Sequence, residues 1–288
     1  MKSKQSLNFI KRKFGKIRLY DVLKKLADFN DSRALFYKML FMVCLILAVL
    51  VLVTNLYKTP KVTDKGNEGI AESKSVSVEG MVLKEVSVVV DAGHGGNDWG
   101  THFGSIKEKS LNLDIALRFG KLLEDKGINV IYTRKKDKYI NVRKRPMLAN
   151  DSDATLYISI HNNNLPGNST HQGTETLYAS SVSSRFKSMN DKKLAEIVES
   201  KLTGALGTQR GGIIKRTDLA VLHHTKMPAV IAEIGYLSNK SDRSKLKSKN
   251  FRQKAAEALC DSVMEALSDM GAYKDKNGKW MVYEIDQE

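Results

Sequence analysis

The sequence predicts an α/β domain with a mainly parallel sheet, preceded by a single transmembrane helix. Three observations carry this. From Lys84 onward, short β-branched runs alternate with amphipathic stretches at helical spacing, the pattern of a parallel sheet with crossover helices. Three of the apolar runs end in an ionisable residue, at Asp91–His94, His161 and Glu233. Upstream, Met39–Val53 is an apolar run without charge or proline.

Residues 1–34 read as a basic cytoplasmic segment. The first 38 residues hold 11 Lys/Arg against three Asp, a net of +8, which leaves +7 of the chain's +15 for the other 250 residues. Leu19, Val22, Leu23, Leu26 and Phe29 fall at helical spacing, suited to an anionic leaflet or to a solvated arm that only sets topology. The Met39–Val53 run, extended to residues 35–57, reaches membrane-spanning length, with Lys38 near one end. Its basic flank precedes it, so the N-terminus is expected in the cytoplasm and the rest outside the cell membrane. The long basic region and the lack of a small-x-small site predict an anchor that is not cleaved. Residues 58–83 are polar and read as a linker, at most roughly 90 Å long when fully extended and about 25–30 Å as a flexible coil. Cys44 and Cys260 are the two cysteines, one in the apolar run and one in a helical pattern, so no intramolecular disulfide is expected. The basic charge lies mostly before the membrane run and no zinc-finger or RNP-type pattern accompanies it, which argues against nucleic acid as a partner.

Val86–Val90 reads as a buried strand that breaks at Asp91-Ala92-Gly93-His94-Gly95-Gly96. Leu111, Ile115, Phe119, Leu122 and Leu123 share a helical face, and Gly127 stops that helix. Ile128–Thr133 is the second strand, residues 142–150 a short helix, Ala154–Ile160 the third strand and Glu175–Tyr178 a possible fourth. Asp191–Leu206 is helical, Ala229–Ala232 is a strand after Pro228, and Phe251–Met270 is a long amphipathic helix. Residues 274–288 contain Asn277-Gly278, a hairpin signal, and read as a hairpin or a tail.

In open α/β sheets, ligands sit beyond the carboxyl ends of the strands. Three strands would deliver His94, His161 and Glu233 to one such edge. Two imidazoles and a carboxylate make a catalytic zinc set with one position left for water. Glu108 competes with Glu233 for the carboxylate place, although Ser105-Ile106-Lys107-Glu108 also matches a helix capping box. Glu233 has a bland alternative too, a strand-end carboxylate neutralised by Arg or Lys. A hydrolytic site needs one carboxylate to hold the metal and another to take a proton from water, so two are expected. Arg134, Arg143 and Arg145 favour structural ion pairs. Asn162 and Asn163 suit orienting His161 or touching substrate, and His171, His223 and His224 suit loops. Asp91 is suited either to accept from His94 or to cap the turn.

The segments DAGHGG at 91–96, Glu108-Lys109 with Leu111-Asn112-Leu113, Thr133-Arg134, Ser159-Ile160-His161-Asn162 and Pro228–Gly235 resemble those of type 3 zinc-dependent N-acetylmuramoyl-L-alanine amidases, in that family's order over roughly residues 84–270. The resemblance implies a twisted sheet flanked by helices and a peptidoglycan substrate. It implies one zinc ion on His94, Glu108 and His161, with Glu233 as the catalytic carboxylate. Residues 84–273 would form the catalytic domain. His102, Tyr236 and His223-His224 depart from the family's usual residues, which bears on substrate preference. The segment between His161 and Glu233 lacks a long insertion, so no built-in blocking helix is expected. A zinc peptidase acting on the stem peptide, or a non-catalytic anchored wall binder, are the alternative functions.

Overall fold

The computed structural model describes residues 80–179 and 185–285, all within one compact unit, Ser75–Glu288. The basic segment 1–34, the expected membrane span 35–57 and the linker up to residue 79 lie outside the described residues. Among the described residues, no helix is long and apolar enough to cross a membrane.

The centre is a six-stranded, mostly parallel sheet. It is formed by β2 (Ser87–Ala92), β5 (Asn129–Tyr132), β6 (Leu156–Asn163), β7 (Thr174–Tyr178), β8 (Arg210–Lys215) and β9 (Ala229–Tyr236), in the order β5-β2-β6-β9-β7-β8. Every pairing is parallel except β7 with β9. β2 and β9 are buried along their whole length, which is why they read as continuous apolar runs. Their side chains alternate between two cores. Val88, Val90, Leu156, Ile158 and Val230 face one, while Val89, Tyr157 and Ile231 face the other.

The larger core is closed by α1 (Glu108–Asp125), α3 (Asp191–Leu206) and α6 (Lys249–Asp269). In α1 the predicted stripe is the buried one, with Ile115, Phe119 and Leu123 fully covered. α3 is capped by the Asn190 side chain, which accepts from Lys193 N, and stops at Gly207 with φ 58°. Cys260 is a buried free thiol on α6. The smaller core is covered by residues from α2 (Lys144–Asp151) and α4 (Ala220–His223), including Ala149, Val221 and Leu222. α5 (Lys240–Lys247) follows β9.

Three features went unread in the sequence. β8 was not expected. β6 and β9 run past their expected ends, so His161 and Glu233 lie inside the last part of each strand. A second sheet joins the two ends of the unit: β1 (Met81–Glu85) pairs with β11 (Trp280–Ile285), which pairs with β10 (Tyr273–Lys274). Met81–Leu83, read as the end of the linker, are therefore strand, while the last segment forms the hairpin that Asn277-Gly278 signalled, in place of a tail. A short hairpin, β3 (His102–Phe103) and β4 (Ile106–Lys107), precedes α1.

Candidate active site

The loop after β2 is held by buried cations. Arg134 donates to the carbonyls of Ala92 (2.9 Å), Gly93 (3.0 Å) and Lys109 (2.8 Å). Arg145 donates to the carbonyls of Ala92 and His94, each at 2.8 Å. This grip maintains His94 at φ 61°, a left-handed conformation uncommon outside glycine. Both arginines are thus structural: Arg145 makes the expected ion pair, with Asp91, while Arg134 bonds backbone carbonyls instead, and Arg143 is exposed.

Asp91 has neither role expected of it. It is fully buried and accepts from Arg145 Nη1 (2.6 Å), Thr133 Oγ1 (2.7 Å), Tyr157 OH (2.7 Å) and Ser159 Oγ (2.6 Å). Burial alone would raise its carboxyl pKa, but the Arg145 charge and the three hydroxyl donors hold it below the usual range. Alternation on β2 explains the correction: Asp91 points into the sheet's smaller-core side, where those donors lie. The acceptor for His94 is Asp98, 2.9 Å from Nδ1.

His94, Glu108 and His161 come together, with ligand atoms all within 4.8 Å of one another. Glu108 Oε2 lies 3.2 Å from His94 Nε2, and Glu108 Oε1 lies 2.9 Å from His161 Nδ1. Glu108 also accepts from Thr101 N (2.9 Å), Asn162 N (3.2 Å) and Asn112 Nδ2 (3.2 Å). Burial opposes its charge, yet the His161 and His94 donors hold its carboxyl far below the ordinary range. Burial likewise opposes protonation of His94, but Glu108 and Asp98 raise its pKa to about 9. The spot between these groups therefore favours positive charge.

The donor set fits zinc. Two imidazole nitrogens and a carboxylate oxygen are the ligand types of an open catalytic site, and one His carries the outer carboxylate partner usual for such ligands. The contacts of 3.2 and 2.9 Å are close to the ligand-to-ligand spacing around a tetrahedral zinc, about 3.3 Å. Two glycines make the cradle. A Cβ on Gly93 would overlap the His161 ring, and one on Gly100 would overlap the Glu108 carboxylate and approach His94 Cδ2 to 2.6 Å.

Glu233 stands directly across from His161 on the neighbouring parallel strand. It is buried, and its Oε2 has no hydrogen-bond partner. Burial raises its carboxyl pKa to about 7; the His161 charge opposes this, and the Glu108 and Glu175 carboxylates reinforce it. No Arg or Lys among the described residues is in contact with it; Arg216, which its charge reaches, pairs with Asp218 instead.

Asn162 supports Glu108 rather than His161. Its backbone N–H donates to Glu108, and its Nδ2 donates to Asn112 Oδ1 at 2.8 Å. Asn163 donates to Glu175 Oε2 (3.2 Å) and to the Tyr236 hydroxyl (3.1 Å). His171 lies against Glu175 at 3.3 Å, and His223 and His224 are exposed beside one another. Asp98, Asn112 and Glu175 were missed in the sequence. Asp98, four residues beyond His94, and Asn112, four beyond Glu108 and within the Leu111-Asn112-Leu113 segment, offered local signals.

The family described as N-acetylmuramoyl-L-alanine amidase matches residues 88–265. An uncharacterized protein of Bacillus subtilis, YqiI, is 34% identical over 177 residues, covering 62% of this chain and 82% of that protein. The N-acetylmuramoyl-L-alanine amidase LytC of the same organism is 34% identical over 178 residues, covering 62% of this chain but 35% of LytC. The match therefore spans about a third of that relative's length. The crystal structure of N-acetylmuramoyl-L-alanine amidase from Clostridium difficile 630 superimposes with a TM-score of 0.60 at 34% identity, covering 64% of this chain and 97% of that one. The catalytic domain of the amidase CwlV from Paenibacillus polymyxa gives 0.59 at 32% identity, covering 64% and 98%.

Proposed function

The chain belongs to the N-acetylmuramoyl-L-alanine amidase family, and we propose that it hydrolyses the amide between N-acetylmuramic acid and L-alanine of peptidoglycan with one zinc ion on His94, Glu108 and His161 and with Glu233 as the catalytic carboxylate. It is an amidohydrolase acting on peptidoglycan. When bound, zinc supplies Lewis acidity, polarising a carbonyl and acidifying water. Glu233 Oε2 takes a proton from the attacking water and hands it to the leaving nitrogen. Asp98 fixes the ring of His94, and the Arg134–Arg145 grip fixes its backbone. The observation that carries the reading is the bare, buried Oε2 of Glu233, one strand away from the His94–Glu108–His161 cluster.

The test is digestion of purified peptidoglycan by the full-length protein with zinc, with products identified by mass spectrometry. Free stem peptides beginning with L-alanine, beside bare glycan, are expected. Trimmed peptides still attached to glycan would make it a peptidase, and unchanged wall with zinc bound would make it a binder.

We also propose that residues 35–57 anchor the chain in the cell membrane once, with the N-terminus in the cytoplasm and the amidase domain outside. The uncharged run Met39–Val53 and the basic flank before it support this. Protease added to intact, wall-stripped cells should digest the domain while sparing residues 1–34. Protection of the whole chain would overturn it.

A further inference from the structure

Glu175 stands beside Glu233 and has no part in the reading above. The two residues are directly opposite in the antiparallel β7–β9 pair, so their side chains leave the same face of the sheet. His161 is opposite Glu233 on the other side, which makes a row of His161, Glu233 and Glu175 across three adjacent strands. Cβ atoms of such cross-strand pairs lie about 4.5–5.5 Å apart, and like charges there are destabilising. Neither carboxylate is ion-paired with Lys or Arg among the described residues.

Glu175 is nevertheless fixed. His171 Nε2 lies 3.3 Å from its Oε1, and Asn163 Nδ2 donates to its Oε2 at 3.2 Å while also donating to Tyr236 OH. The Tyr236 hydroxyl is a further hydrogen-bond partner of Glu175, whereas Glu233 Oε2 has none. The Glu175 side chain is 8% exposed and that of His171 42%, so the imidazole forms the solvent side of a floor made by two carboxylates. Two adjacent buried carboxyl groups that no Lys or Arg contacts are suited to receive a cation.

Amide hydrolysis makes one at this spot. Water adds to the carbonyl carbon and the C–N bond breaks. One water proton reaches nitrogen through Glu233, and the other leaves the new carboxyl group for the same nitrogen. The amide N–H thus becomes an ammonium, the stable form of an α-amino group below about pH 7.7–8.0. We propose that Glu175 and Glu233 together receive the ammonium released from L-alanine, with Glu175 as the residue that distinguishes a free amine from an amide. This rests on the amidase reading of the site.

The experiment is calorimetric binding of a short peptide beginning with L-alanine to the zinc-loaded full-length protein, with the peptide's amino group either free or acetylated. The wild type should bind the free amine about tenfold more tightly, and Glu175→Gln should bind both alike while Glu175→Asp regains part of the preference. A role for Glu175 in tethering Asn163 and His171 alone would change both affinities together. Equal binding of the two peptides by the wild type, or a preference surviving in Glu175→Gln, would overturn the proposal. The wild-type comparison stands even if a variant fails to fold. Hydrolysis of peptidoglycan is read separately, so loss of the amidase reading and loss of this one are told apart.

Discussion

Glu108 is the first residue of α1, yet its carboxylate serves no helix. Lys107, not Ser105, occupies the cap position, so the capping-box spacing is out of frame by two residues. The carboxylate turns instead to two imidazoles and the Thr101 N–H. His161 and Glu233 were legible because each breaks an apolar strand run, whereas Glu108, after Ser105-Ile106-Lys107, was set apart from a capping residue only by the family resemblance. Glu175 was not legible, since it lies near the start of a strand running antiparallel to β9, and its relation to Glu233 exists only through pairing. Asp91 was misread because its neighbours in sequence suggested His94, while its donors come from β6, α2 and Thr133. Two expectations belong at this scale. Glu233→Gln should lower turnover by about 10²–10⁴-fold while zinc content, measured by atomic emission, stays at one per chain; near-normal turnover would remove Glu233 from proton transfer. Asp98→Ala should weaken zinc affinity by about 10–100-fold and recover activity with added zinc. Unchanged affinity in a competition titration with a chelating dye would show that the Asp98 contact does not position His94.

At the scale of elements, the alternation of strand and helix was readable from Val86 to Met270, because buried parallel strands and amphipathic helices carry periodic apolar signals. β8 carries only Ile213-Ile214 between Gly211-Gly212 and Lys215, too short a run to show a period. β1 offers only the apolar triplet Met81-Val82-Leu83 before Lys84-Glu85, too short a run to show a period, and it pairs with β11 at the far end of the chain. The terminal sheet is integral to the fold: Val282 is fully buried in the larger core, and Val86 N, at the start of β2, donates to Trp280 O at 2.8 Å. Around it, Arg185 and Lys84 bridge Glu284 and Asp153. Val282→Ala removes apolar volume that the packed sheet cannot refill. It should destabilise by about 2 kcal/mol, or roughly 4–8 °C in melting temperature. Turnover well below the melt should not change, because the hairpin meets β2 at the end away from His94. A melting temperature equal to wild type would mean that the hairpin is an appendage.

For the molecule as a whole, Asp91 ties together elements that are far apart in sequence. One buried carboxylate receives Arg145 from α2, Thr133 beyond β5, and Tyr157 and Ser159 from β6, while Arg145 in turn holds the loop carrying His94. Its folded-state pKa lies below the usual 3.8, so the unfolded chain binds this proton first as pH falls. The stability it contributes is therefore complete above about pH 4 and is lost as pH drops through the lower, folded value. Urea unfolding between pH 7 and pH 2.5 should show this loss, measured with a chelator present so that protons linked to metal binding do not enter. In Asp91→Asn, Arg145 is left buried without its counter-charge, which should destabilise by about 3–5 kcal/mol at neutral pH. The acid limb of that variant should be shallower than the wild type's, because one proton uptake is missing. Equal acid slopes in the two proteins would mean that the Asp91 proton is not linked to unfolding, and that the grip on the His94 loop rests on Arg134 and the backbone alone.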